Sequence, residues 1–151
     1  MSKLKFSYGV PSAVSIDKTP QSLSVSISAS LGWGVSGAPL VGRYSLHTAT
    51  LHAPSERTLG GGGFAAELQL WHTTADAGRA VPTDRLEQAV VSVLFAESSD
   101  DVAGASDVLA PLVAALNSIS GAASGSAVLP AGAGAASASF NLSKLVLDAS
   151  G

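Results

Sequence analysis

A chain of 151 residues with 46% hydrophobic side chains is long enough to bury a core and too apolar to stay disordered, and it reads as one domain over 1–151. Eight basic against eleven acidic residues give a net charge of -3, which leaves no cationic face for nucleic acid and no Lys/Arg cluster for an anionic membrane or a phosphate. Without cysteine there is no disulfide framework and no thiolate chemistry; no stretch reaches transmembrane length, and Met1-Ser-Lys-Leu-Lys-Phe6 lacks the apolar run of a secretory signal, so the expected setting is intracellular, cytoplasmic or cytoskeletal, with an organelle left open.

Most of the chain reads as strand. From Ser22 to Ser30, serines alternate with Leu23, Val25, Ile27 and Ala29, the period-two pattern of a strand with one buried and one wet face. Gly32-Trp-Gly-Val-Ser-Gly37 and Pro39 read as the turn into a strand ending at His52. Gly60 to Gly63 then form the loop to a strand over Glu67-Leu-Gln-Leu-Trp-His72, and four glycines invite a phosphate-loop reading. That reading fails because no Lys-Ser/Thr follows and the next residues continue a strand instead of opening a helix. Ala89-Val-Val-Ser-Val-Leu-Phe-Ala96 is a further core strand. Asp107 caps a predicted helix to Asn117, with Leu109, Leu112, Val113 and Leu116 at helical spacing and Pro111 in its first turn. The tract 118–139 is almost wholly Ala, Gly and Ser, broken chiefly by Val128, Leu129 and Pro130, and reads as a loop within the domain that needs outside contacts to become ordered.

The segments carrying chemistry are Tyr44 to Arg57 and Glu67 to His72. Along a strand, Thr48, Thr50 and His52 share one face while His47, Ala49 and Leu51 share the other; in the second segment Glu67, Gln69 and Trp71 oppose Leu68, Leu70 and His72. A three-histidine zinc site needs imidazoles converging at about 2.0–2.1 Å, with a fourth position open. The facing positions here are Thr50, His52 and Gln69, so one imidazole is available. His47, at an odd separation from His52, and His72, three residues from Gln69, fall on the wrong faces unless a bulge changes the register. Serine hydrolysis lacks its Gly-x-Ser-x-Gly elbow, and a Glu56–Glu67 acid–base pair is less economical than two structural carboxylates.

These two segments resemble the zinc-binding strands of α-type carbonic anhydrases, whose pattern is Phe-His-Phe-His-Ala-Pro-Ser-Glu-His followed by Glu-Leu-His-Leu-Val-His. The resemblance puts the three zinc-ligand positions on Thr50, His52 and Gln69. It puts the supporting positions on Thr48, on Glu56 as a buried acid of the turn, and on Glu67 as the acid that orients the third ligand. Lys18-Thr-Pro-Gln-Ser-Leu-Ser-Val25 resembles the family's Asn-x-Gly-His-Ser-x-x-Val stretch and sets Gln21, which does not titrate, at the proton-shuttle position. The likeness runs from about Tyr8 to Asp148, with the family's N-terminal elements and its Leu-Thr-Thr-Pro-Pro-Cys loop unmatched. It implies the central portion of a mainly β, twisted sheet with one or two short helices, and a protein with no catalytic residues, no metal and no zinc cofactor. Such a protein would be a structural or interaction subunit partnered by other chains of a larger assembly, without nucleic acid or membrane, and able to self-associate through sheet edges. The alternatives are an active zinc-dependent carbonate dehydratase with an unusual site and a small-anion binding module around Thr50, His52 and Gln69.

Overall fold

The computed structural model describes residues 3–8, 14–20, 22–26, 32–74, 86–97 and 125–129. They form ten strands and no helix: β1 Lys5–Ser7, β2 Val14–Lys18, β3 Ser22–Ser26, β4 Gly34–Ser36, β5 Arg43–His52, β6 Thr58–Leu59, β7 Gly62–Gly63, β8 Ala66–Thr74, β9 Gln88–Phe95 and β10 Gly125–Leu129. Eight of them make one sheet with every pairing antiparallel. The ten-residue β5 lies at its centre. On one flank β4 pairs with the start of β5 and β3 with its end; β1 extends the sheet beyond β4, and β2 and then β10 extend it beyond β3. On the other flank β8 runs along β5, and β9 lies outside β8.

Register explains why the serine-alternating strand folds as it does. Ile16, Val25, Ala49, Leu70 and Val91 face one another in turn across β2, β3, β5, β8 and β9. Four of these five are fully buried and belong to the core with Leu23, Trp33, Leu46 and Leu68, each large side chain contributing about 1.5–3 kcal/mol by burial. One residue along each strand, on the opposite face, the aligned row is Asp17, Ser24, Thr50, Gln69 and Ser92. The sheet therefore has an apolar face and a polar face, as the Ser/Leu/Val alternation requires.

Three expectations change. The ladder between β5 and β8 slips between Leu46 and Thr48, so His47 is an extra residue and strict alternation does not run through it. That slip is what lets Leu46 and Ala49, three apart, both reach the core. The glycine-rich run before β5 is not all turn: Gly34–Ser36 is a strand on β5, and Gly34 suits it because a Cβ there would run into the Tyr44 carbonyl. The tract 118–139 is not loop throughout, since Gly125–Leu129 pairs with β2 over five residues. The predicted helix over 107–117 and the approach at 140–147 lie outside the described residues.

Between the two motif strands, β6 and β7 form a hairpin closed by Gly60 and Gly61 at φ of 60° and 83°. Positive φ at both central positions is the primed turn that matches strand twist, and glycine adopts it without a steric penalty. The four glycines are thus a tight structural connection.

Candidate functional site

Thr50 and Gln69 sit directly opposite each other on β5 and β8, and His52 sits opposite Glu67. Since cross-strand partners point to the same side, Thr48, Thr50, His52, Glu67, Gln69 and Trp71 share the polar face. The structure thus brings the three expected ligand positions together on adjacent strands. Gln21 lies outside the described residues.

Glu67 organises this region. Although fully buried, it accepts hydrogen bonds from the Gln69 amide at 3.2 Å and from the Arg57 backbone N–H at 3.2 Å, lies 3.3 Å from Ser55 Oγ, and pairs with the Arg57 guanidinium at 3.0 Å. Burial pushes its carboxyl up, but hydrogen bonds from Ser92, Gln69 and Arg57, with the Arg57 charge, outweigh that and hold it below the usual carboxylate range. The turn after β5 makes these contacts possible. A cis Ala53–Pro54 peptide begins it, Ser55 Oγ donates to the Arg57 carbonyl at 2.7 Å, and the Ser55 N–H bonds the Phe64 carbonyl at 3.1 Å.

Glu56 departs from expectation. It is not a buried acid: its side chain is 63% exposed, because the turn projects beyond the end of β5 and the inward place is taken by Glu67. Its carboxylate still reaches back to the site, with one oxygen 3.5 Å from His52 Nδ1 and the other 3.5 Å from Gln69 Nε2. Thr48 turns to a neighbour on its own strand instead of to Thr50: its hydroxyl lies 2.8 Å from Nδ1 of His47, the residue at the bulge.

His72 belongs to the other face, where it is fully buried. Its Nδ1 is 3.2 Å from the Ala89 carbonyl, which can only accept, so Nδ1 carries the proton and Nε2 accepts from the Tyr8 hydroxyl at 2.8 Å. Burial drives the His72 pKa down, aided by the positive potential of His47 and opposed by hydrogen bonds to Ala89 and Leu70; burial also pushes the Tyr8 hydroxyl up. This is a structural latch holding the N-terminal segment to the core face.

The donors present do not fit a catalytic zinc. Zinc is held by imidazole, thiolate or carboxylate, and the three facing positions offer one imidazole, a hydroxyl and an amide whose nitrogen is committed to Glu67 and Glu56. Among the described residues no three His, Cys, Asp or Glu side chains are grouped to hold a metal. Ser55, Arg57, Ser92 and Tyr8 were not singled out from the sequence. Ser55 and Arg57 were legible within the Ala-Pro-Ser-Glu-Arg turn, whereas Tyr8 meets His72 across 64 residues and only folding joins them.

No protein-family model matches the sequence, and no curated protein does so either. Solved structures do. A dioscorin complexed with ascorbate is 22% identical with a TM-score of 0.62, over 85% of this chain and 47% of that one. A hyperthermostable carbonic anhydrase from an active hydrothermal vent chimney is 22% identical with a TM-score of 0.60, over 85% and 48%. A carbonic anhydrase from Chlamydomonas reinhardtii in complex with acetazolamide is 19% identical with a TM-score of 0.60, over 89% and 50%. The chain spans about half the length of these structures. At these identities the likeness speaks for architecture alone, and with the antiparallel sheet described above it gives the conclusion that this chain has a carbonic-anhydrase-like fold.

Proposed function

We propose that this chain is a non-catalytic carbonic-anhydrase-like domain that serves as a structural or interaction subunit among other protein chains. The observation that carries this reading is the Thr50–Gln69 pair: at two of the three positions where the resemblance puts zinc ligands, a hydroxyl and an amide face each other, and the amide is tied to Glu67. A metal site of this class acts by lowering the pKa of bound water from ~15.7 to about 7, and residues that only orient ligands do not supply that effect. The carboxylates of Glu56 and Glu67 beside the cleft count against a small-anion module, because Arg57 is already paired to one of them.

Elemental analysis of the purified chain is expected to find zinc far below stoichiometry, and stopped-flow hydration of carbon dioxide is expected to run at the uncatalysed rate. Stoichiometric zinc with chelator-sensitive turnover would reverse the reading. Thr50→His together with Gln69→His should raise zinc affinity measurably over the native chain, since it restores three imidazoles to one face.

A further inference from the structure

One imidazole holds two elements to β8. His72, fully buried, faces the Ala89 carbonyl of β9 with Nδ1 at 3.2 Å and the Tyr8 hydroxyl with Nε2 at 2.8 Å. Tyr8 also lies over that ring, with centroids 6.0 Å apart and planes inclined by 28°, and packs against the core, with the Phe6 ring 5.9 Å away. It therefore covers Nε2, the nitrogen that carries no proton while the imidazole is neutral. The two holds differ in strength. β9 pairs with β8 over eight consecutive positions, whereas β1, which ends one residue before Tyr8, pairs with β4 over three, from Lys5 to Ser7. Beyond those three, the Lys3 carbonyl passes too close to Gly37 to leave room for a Cβ there.

A second proton on His72 turns Nε2 from an acceptor into a donor. The Ala89 carbonyl keeps its bond, so the change falls on Tyr8. Its hydroxyl can rotate to accept, but its own proton then loses its acceptor and the new charge stays buried. The surroundings resist that charge: burial is the largest cause, the charge of His47 on β5 adds to it, and the bonds to Ala89 and Leu70 oppose it without prevailing. Among the described residues, Tyr8 and His47 are the titratable groups set against the ring. Water at Nε2 relieves the strain, and Tyr8 stands in its way. Local opening runs through the element with the fewest holds, here β1 with its three ladder positions. β1 occupies one edge of β4 and β5 the other, so this opening frees the edge that β1 held.

We propose that His72 and Tyr8 form an acid-operated latch: protonation of the ring lifts Tyr8 and β1 off the core face and frees the edge of β4. The device is separate from any chemistry at Thr50 and Gln69, which lie on the opposite face of the sheet. Amide exchange on the full chain from about pH 8 to about pH 5 reads it, each rate being divided by that of an unstructured peptide at the same pH. Above the ordinary imidazole value near ~6.5, which the ring regains once uncovered, the latched form is fully favoured. Its advantage is lost as pH falls from there toward the lower value of the covered ring. The slowly exchanging amides of Lys5–Ser7 should be at least about tenfold less protected than those of β8 throughout, because they open locally. Below ~6.5 they should lose up to about tenfold more per pH unit, one proton being taken up per opening. His72→Asn should make β1 protection flat with pH. Tyr8→Ala removes the cover and leaves β8 in place, so its His72 ring should titrate near ~6.5 by NMR, above the native ring. The latch is overturned if β1 amides exchange only together with those of β8, if β1 protection is flat with pH in the native chain, if the slope survives His72→Asn, or if the ring in Tyr8→Ala titrates as low as in the native chain.

Discussion

Two buried ionisable groups make the residue scale testable. The Glu67 carboxyl is held low in the folded chain, so its stabilising contribution is complete above the unfolded carboxyl value near ~4.3 and is lost as pH falls through the lower folded value. His72 is also depressed, chiefly by burial, and as a base it behaves with the same sign. Folding is undiminished above the unfolded imidazole value of about 6.5 and weakens below it, because the unfolded chain then takes up a proton that the buried ring resists. Urea unfolding across this range should show two descending steps. The His72→Asn variant should lose the upper one, and Glu67→Gln the lower one at a cost of about 1–3 kcal/mol near neutrality, since its partners lose a charged acceptor. A stability curve for His72→Asn parallel to that of the native chain would refute the assignment. Local spacing was enough to place Thr50, His52 and Gln69 on one face, and to expect Glu67 beside Gln69. It could not tell that the turn acid Glu56 stays exposed while Glu67 on β8 is buried, because burial at the end of the sheet is set by how the turn folds back.

Secondary-structure elements show where local pattern is outvoted. β3 was legible because Leu23 and Val25 alternate with serine and bury accordingly. β4 was not, because Gly34 in a glycine-rich run carries the composition of a turn while its lack of a Cβ is what allows close approach to the Tyr44 carbonyl. Gly34→Ala should therefore destabilise the chain by about 1–3 kcal/mol through a clash that backbone cannot relieve. Thermal unfolding would register this as a drop of several degrees; an unchanged midpoint would mean that β4 does not pack on β5 as described. The bulge at His47 was equally hidden. Nothing in Leu46-His-Thr48 marks an extra residue, and the slip emerges only when Leu46 and Ala49 compete for the same core face.

At the scale of the whole molecule, the antiparallel pairing of β10 with β2 is the least obvious feature from composition. Ordering each backbone residue costs roughly 1–2 kcal/mol, and at Gly125–Leu129 the five-residue ladder to β2 is what fixes the backbone as a strand. Amide exchange should be slowed at alternate positions of this strand, those whose N–H points toward β2, by tenfold or more relative to an unstructured peptide, which corresponds to about 1.4 kcal/mol of local opening energy. Exchange at peptide rates throughout 125–129 would remove β10 from the sheet.

The sequence by itself determined the alternation that makes this a two-faced sheet, the polar positions that share one face, and the resemblance that led to a carbonic-anhydrase-like architecture, because side-chain direction along a strand has a fixed period of two. Tertiary structure alone decided what lies beside what across the chain: Tyr8 on His72, Arg57 and Ser55 on Glu67, and β10 on β2. Those contacts join residues ten to more than a hundred positions apart. Their partners are selected by register and burial, quantities that have no value until the sheet has formed.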